Sequence, residues 1–250
     1  EMCGRDWSSD VCSSDLVWHD VLSQDVGLAL ITHVQSNTGR QLPVAEITRL
    51  CRERGIISVV DVAQSVGVLP IALGQWQADF VIGSCVKWLC GGPGAGFLWV
   101  NPDVLNQCEP KDVGWFSHEA PFEFDIHNFR YARDAMRFWG GTPSVQPFAI
   151  ATNSLETLNR VGIEQVHAHN LALTDQLLQE VSDEHCVSPR DAALRGGTVV
   201  LRYPEEQLQR IAGAMRESDI AFDLRRTGMR LSPHVYNDCG EIETVTQCLA

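Results

Sequence analysis

From residue 28 onward, short apolar runs alternate with segments whose apolar positions recur every three or four residues. Runs at 28–32, 56–60, 80–83 and 96–100 predict strands. Between the first two, Pro43 opens a helix that puts Val44, Ile47, Leu50 and Cys51 on one face, and Gly55 stops it. The 56–60 run is apolar and β-branched, the pattern of a parallel strand covered on both faces. Strand, helix, strand in this order predicts an α/β fold with a mostly parallel sheet.

A polar and aromatic segment follows at 111–139, rich in Trp, Phe and His. Helices are then expected over 143–160 and 163–181, the second with Val166, Leu171, Leu173, Leu177, Leu178 and Val181 on a broad apolar face. The remainder predicts strand 198–203, helix 204–217, strands 220–224 and 229–232, and helix 241–249. That is a smaller α+β unit, so a boundary is expected near Val161, giving a large domain over 17–160 and a C-terminal domain over 161–250.

Residues 1–16 break the pattern. The Trp7-Ser8-Ser9-Asp10-Val11-Cys12-Ser13-Ser14-Asp15 stretch repeats itself without helical or strand period. It reads as a non-native or disordered tail, and is set apart from the fold. A non-native start implies that the chain is an N-terminally truncated piece.

The 250 residues carry a formal net charge of −13, which repels nucleic acid and anionic lipid and argues against either as a partner. Nine cysteines occur, with no Cys-x-x-Cys pair and no clustered histidines; most sit in apolar stretches, as reduced buried thiols do, so no metal site is expected. No apolar run is long enough to span a bilayer and the start lacks the order of a signal peptide, so the chain reads as cytoplasmic.

Asp61 directly follows the 56–60 strand, and Ser84 and Lys87 directly follow the 80–83 strand. Open α/β sheets bind ligands beyond the carboxyl ends of their strands, which marks these residues as a site. A carboxylate in that place otherwise caps the next helix. Gln64 lies one turn beyond Asp61. Val86, Trp88 and Leu89 surround Lys87, and an ammonium buried among them would be costly, which favours a neutral, nucleophilic amine. The other reading of Lys87 is a surface lysine whose stem covers apolar residues. Gly91-Gly92-Pro93-Gly94-Ala95-Gly96 lacks the Lys-Ser/Thr of a nucleotide loop and reads as a turn permitting close backbone approach. Carboxylate, hydroxyl and amine in this order are what a pyridoxal 5'-phosphate (PLP) enzyme requires of its protein.

Asp61-Val62-Ala63-Gln64-Ser65, then Ser84-Cys85-Val86-Lys87, then Gly91-Gly92-Pro93-Gly94-Ala95-Gly96-Phe97-Leu98 resemble the class V aminotransferase family of fold-type I PLP enzymes. Gly114-Trp115-Phe116-Ser117-His118, Gly141-Thr142-Pro143-Ser144-Val145 and the ending Met229-Arg230-Leu231-Ser232-Pro233-His234-Val235-Tyr236-Asn237 are similar to kynureninase segments. The resemblance implies that Lys87 holds the cofactor as a Schiff base and then moves protons. It implies that Asp61 pairs with the pyridine nitrogen, Gln64 with the phenolic oxygen and Ser84 with the phosphate. Thr142 would reach the phosphate of a neighbouring subunit, implying a homodimer with a shared site; Trp115 would line the site and Arg230 would clamp the substrate carboxylate. For Trp115 the alternative is a core aromatic, and for Arg230 a surface ion pair.

The implied reaction is hydrolytic Cβ–Cγ cleavage of kynurenine or a related aromatic amino acid. Gln64 and Val86 stand where kynureninases usually carry His and Tyr, and Gln64 is more typical of cysteine desulfurases and selenocysteine lyases. Those enzymes need a cysteine shortly before the C-terminal arginine, whereas Cys186 lies far upstream of Arg230 and Cys239 lies after it. A transaminase, another lyase of the family, or an inactive fragment lacking the upstream part of the site also remain open.

Overall fold

The computed structural model describes residues 15–250 apart from residue 126, and the side chains from residue 17. Most of the expected 1–16 tail therefore lies outside the described residues, although a first helix, α1, begins at Asp15 and runs to Leu22. Strands β1 (Leu28–Thr32), β2 (Ile57–Asp61) and β3 (Phe80–Ser84) lie side by side in that order and run parallel. Their register pairs Thr32 with Asp61 and Asp61 with Ile82, so three carboxyl ends open on one side of the sheet.

Strand β4 (Gly96–Val100) adds to the outer edge of β3 but runs antiparallel, pairing Gly96 with Ser84. The cause is the return at 85–95. A crossover to a parallel strand needs a dozen or more residues, whereas the compact Gly-rich return reverses direction at once. Cys85 N–H donates to the Ala95 carbonyl (3.0 Å) and extends that pairing into the loop.

Helix α2 (Val44–Glu53) covers one face of the sheet. Its Ile47, Leu50 and Cys51 are buried against Ala29, Ile31, Val60 and Val81. Burial of each such aliphatic side chain contributes roughly 1.5–3 kcal/mol. The opposite face is only partly covered: Leu28, Leu30 and Ile57 are exposed. The β2 run was expected to be covered on both faces; among the described residues, α2 supplies cover on one. Short helices α3 (Leu73–Trp76) and α4 (Pro102–Leu105) flank the sheet, the latter capped by Asn101 accepting from Asp103 N–H (3.0 Å).

The C-terminal half builds a second core. Helix α5 (Val145–Val161) leads through Gly162, at φ +92°, into α6 (Ile163–Gln179). Strands β5 (Val199–Leu201), β6 (Asp223–Arg225) and β7 (Gly228–Leu231) form an antiparallel sheet in the order β5–β7–β6. Helices α7 (Glu205–Glu217) and α8 (Cys239–Leu249) pack on it with α6, burying Leu177, Leu201, Ile211, Met215, Met229 and Val245. An Asp238–Glu241 capping box starts α8, each side chain accepting from the other's backbone N–H (3.0 Å each). The expected strand at 220–224 begins three residues later than its apolar run. Ile220 and Phe222 are instead drawn against the core ahead of the strand.

Several contacts tie this unit to the parallel sheet, among them Gly196 N–H to the Gly39 carbonyl (2.7 Å) and Gln41 N–H to the Leu194 carbonyl (2.8 Å). The Ser188 hydroxyl donates to the Thr38 carbonyl (2.7 Å) beyond β1, and Gly39 (φ +69°) lies against the Thr198 carbonyl. Helix α5 lies over the glycine loop, where a Cβ on Gly91 would meet the Ala151 Cβ at 3.0 Å. That fulfils the close-approach reading of the loop.

The contact that positions the site is between turns. Gly67, at φ +99°, sits on the backbone of the next turn; a Cβ there would lie 2.7 Å from both the carbonyl carbon and oxygen of Trp88 and 2.9 Å from Leu89 N. Gly67→Ala is therefore expected to cost roughly 2 kcal/mol or more, from left-handed strain plus overpacking against backbone that cannot swing aside. Urea denaturation measures this. A midpoint equal to wild type would show that the two turns are not pressed together.

Candidate functional site

Strand β2 delivers Asp61 to its carboxyl end, and the chain turns immediately. The carboxylate accepts from Ala63 N–H (2.8 Å), an Asx-type bond that folds the 61–65 turn back over the strand end. Val62 is buried beneath it, while Asp61 and Gln64 are half-buried. No helix starts here, so Asp61 is not the helix cap of the alternative reading; its oxygen shapes the turn that presents the group.

Ser84 ends β3, and its hydroxyl lies 3.4 Å from Val86 N. Beyond it the chain makes a turn closed by Cys90 N–H to the Lys87 carbonyl (2.9 Å) and Gly91 N–H to the Cys85 carbonyl (2.7 Å). Cys85, Trp88 and Leu89 point inward, whereas Val86 and Lys87 are exposed. The expected desolvation of the Lys87 amine by its apolar sequence neighbours is not seen. In a tight turn those neighbours are sent to opposite sides, so adjacency in sequence gave the wrong environment. Phe97 stands across β4 over Gly83, where an added Cβ would meet its ring at 2.3 Å.

Arg230 lies on β7 opposite Asp223 of β6. Its side chain is 10% exposed, and Nη1 donates to Asp223 Oδ2 (3.0 Å). Asp223 also accepts from Arg225 Nε (2.7 Å), so one carboxylate serves two guanidinium groups. Burial, and then the neighbouring Arg225 charge, lower the Arg230 pKa, while Asp223 opposes them. The Arg230 Nε is buried without an acceptor, as is the hydroxyl of Thr227 in the β6–β7 turn. A buried donor left unpaired is costly, and Arg195 Nε is left in the same way, so the orphan by itself marks no guest.

Trp115 and Thr142 belong to a different construction. Trp115 opens a 3-10 turn, Trp115–Ser117, whose Ser117 hydroxyl donates to the Trp139 carbonyl (3.0 Å) and accepts from Gly114 N–H (3.0 Å). Gly114 thereby packs on Gly140, two residues before Thr142. Thr142 is exposed, and Trp115, Phe122 and Phe124 are 60%, 68% and 65% exposed with edge-to-face ring contacts among them. Trp115 is thus not a core aromatic.

The fold brings Asp61, Gln64, Ser84 and Lys87 to adjoining strand ends, with the Asp61 turn resting on the Lys87 turn through Gly67. Two histidines missed in the sequence support that group. His33 N–H donates to the Asp61 carbonyl (2.9 Å) and its Nδ1 meets the Ser65 hydroxyl (2.8 Å), which in turn donates to the Val62 carbonyl (3.1 Å). His33 therefore grips the Asp61–Ser65 turn at both ends. His234 bonds the Trp88 carbonyl beside Lys87. The available signal for His33 was a histidine directly after an apolar strand, at the same level as Asp61. A cavity of about 690 Å³ lies on the far side of His33, against Glu46, Arg49 and Trp76. Neither Asp61 nor Lys87 lines it, so the chemistry points to the strand ends instead.

The Aminotransferase class-V family profile matches residues 12–243. The chain belongs to that family. It is 35% identical over 210 residues to the kynureninase of Deinococcus radiodurans, spanning 81% of this chain and 50% of that protein. The kynureninase of Pseudomonas fluorescens is 31% identical over 74% of this chain and 46% of its own length. The chain thus spans about half the length of these relatives. Among solved structures, an apo cysteine desulfurase from Thermococcus onnurineus superposes with a TM-score of 0.81 at 22% identity, over 96% of this chain and 63% of that one. The cystine C–S lyase C-DES, solved with its product cysteine persulfide, superposes equally well at 24% identity, over 96% of this chain and 65% of that one. These likenesses show the shared fold of this class V chain, with its mostly parallel sheet and C-terminal α+β unit.

Burial drives the His33 pKa down to about 4. Unfolded, the same ring takes its proton near pH 6.5, so only the unfolded state gains protons between those values. Stability from His33 is therefore full above pH 6.5 and declines as pH falls toward 4, by about 3 kcal/mol at most. Burial lowers His167 and His234 as well, adding in the same direction. Urea unfolding at pH 7.5 and 4.5 should show the decline, and His33→Asn, which keeps a donor toward Ser65, should flatten it. An unchanged slope in that variant would contradict the assignment.

Proposed function

We propose that the chain is the core of a PLP-dependent enzyme acting on an amino acid, with kynureninase-like hydrolytic cleavage as its reaction. The observation that carries the reading is the meeting of the Asp61 and Lys87 turns at the carboxyl ends of neighbouring parallel strands. The donor set fits the cofactor: a half-buried carboxylate, an amide, a hydroxyl and an exposed amine, with a mostly buried arginine on β7. When bound, PLP supplies an aldehyde carbon and a ring that withdraws electrons from the substrate Cα.

Asp61 would place negative charge against the pyridine nitrogen and so favour its protonated form. Gln64 would donate to the phenolic oxygen, and Ser84 would donate to the phosphate. Lys87 would hold the cofactor through its amine and would serve as general base and acid toward the Cα proton; its exposure leaves the side chain free to reach. Arg230 holds the substrate carboxylate in a planar two-point clamp, with Asp223 fixing the guanidinium from the other side. Support for an aromatic substrate comes from the kynureninase relatives and from Trp115 with its neighbouring phenylalanines. Gln64 keeps a desulfurase-type lyase as the second reading. Against it, among the described residues no cysteine occupies 225–229, ahead of Arg230.

The working unit is read as a homodimer with a shared site, in the cytoplasm. The exposed cluster of Trp115, Phe122 and Phe124, beside exposed Thr142, is the surface on which a second copy would sit. Sedimentation velocity should give twice the chain mass, and Phe122→Ser with Phe124→Ser should shift the mass toward a monomer. A wild-type monomer at high concentration would remove the dimer from the reading.

Purified chain mixed with PLP should develop visible absorbance in the violet, and Lys87→Ala should abolish it. No band in wild type would end the enzyme reading for this chain. Anthranilate released from kynurenine supports the hydrolase, whereas sulfide from cysteine with no anthranilate assigns the lyase.

A further inference from the structure

His234 is 3% exposed and has no place in the chemistry above. Val235 N–H donates to its Nδ1 (2.7 Å). A backbone amide can only donate, so Nδ1 carries no proton and the hydrogen of the neutral ring is on Nε2. That Nε2–H donates to the carbonyl of Trp88 (2.8 Å), a residue 146 positions earlier and one beyond Lys87. The ring also stacks with Trp88 (centroids 5.4 Å, 27°) and with Tyr236 (5.1 Å, 6°).

Both ends of this strut are anchored. The Asn237 side chain accepts from His234 N–H (2.9 Å), and the Asn237 carbonyl meets His169 Nε2 of α6 (2.8 Å). Asn170 of α6, 1% exposed, donates to the Pro233 carbonyl (2.7 Å) and to the Gly197 carbonyl (3.0 Å). On the far side, the Lys87 carbonyl accepts from Cys90 N–H, and Gly67 presses on the Trp88 backbone. Arg230 lies four residues ahead of His234 on the same chain segment, leaving β7.

We propose that His234 is a positioning residue that sets the Lys87 turn against the Arg230 strand through its Nε2–H bond to the Trp88 carbonyl. The inference rests on the reading of Lys87 and Arg230 given above. An α-amino acid presents its carboxylate and its Cα a fixed distance apart, so amine and guanidinium must be registered on each other across two separate cores. The sheet alone cannot do this, because Lys87 stands on an exposed turn of one core and Arg230 on a strand of the other. His234 closes that gap with one directed bond, and a misplacement of about 1 Å costs on the order of a hundredfold in rate.

Two variants separate positioning from packing. His234→Leu keeps the bulk and removes the donor, whereas His234→Gln keeps an N–H at similar reach. Amide exchange is followed at Cys90 and Gly91, which close the lysine turn, and along α7 as a remote control. In parallel, borohydride reduction traps PLP on Lys87, and the labelled peptide is timed by mass spectrometry. In His234→Leu, turn exchange should quicken about tenfold and labelling slow by a similar factor, with α7 unchanged. His234→Gln should stay within about twofold of wild type on both. Leu behaving as wild type, Leu and Gln failing equally, or α7 loosening together with the turn would each overturn the proposal. Wild-type chain that takes no label at Lys87 sinks the cofactor reading instead, while the exchange arm still decides the strut.

Discussion

Asp61 and Lys87 share a neighbourhood because β2 and β3 run parallel in a register that brings Asp61 opposite Ile82. A parallel pair sends both carboxyl ends to one side, and everything beyond those ends must then pack as loops against each other. The Gly67–Trp88 contact is the form that packing takes. Only a residue without a Cβ can take φ +99° and let two backbones meet so closely. An antiparallel β2–β3 pair would carry the same two side chains to opposite edges. The direction of one strand therefore governs the site more than any single hydrogen bond within it.

On the proposed reading the second core would answer a different demand. A substrate carboxylate needs a partly desolvated cation, and an isolated buried guanidinium is costly. Here the cost is shared: β6 sets Asp223 directly opposite Arg230, and the same carboxylate also takes Arg225. One negative charge facing two positive ones leaves the pair electropositive. Among 250 residues with a formal net charge of −13, such a local excess stands out as a place where an anion is drawn in. Arg195, wholly buried with Asp175 as its partner and the Arg190 carbonyl accepting from Nη1 (2.6 Å), fastens a loop to α6, and its Nε is buried without a partner too.

The strand ends were legible because an apolar run followed by Asp, or by Ser-x-x-Lys, carries its own meaning in an α/β pattern. The C-terminal helices were legible for the same reason, since Leu173, Leu177, Ile211 and Met215 recur at helical spacing and are all buried. What the pattern could not carry was direction and side. The reversal into β4 depends on how tightly 85–95 returns, and the exposure of Lys87 depends on which way a turn rotates its side chains. His33 and His234 were hidden because their partners lie 32 and 146 residues away and, for His234, because the partner is a carbonyl that any residue would offer. Period and composition hold no trace of such bonds.

Selection among amino acids has to come from somewhere else in the molecule. On the proposed reading, Asp61, Lys87 and Arg230 would address only what every α-amino acid has in common: a cofactor-bound nitrogen, an acidic Cα and a carboxylate. The side chain beyond Cα must be met by residues free to differ, and the 111–144 segment has that character. It is held by short-range devices of its own, the Gly114–Gly140 contact, the Ser117 bonds and the Arg130 pairs with Glu119 and Glu123, so its aromatic surface can change without disturbing the strand ends. Trp115 and its neighbouring rings present flat apolar area to solvent, which on the proposed reading would meet an aryl group. Fold likeness to a desulfurase and sequence likeness to kynureninases are consistent with each other, since both describe the class V frame.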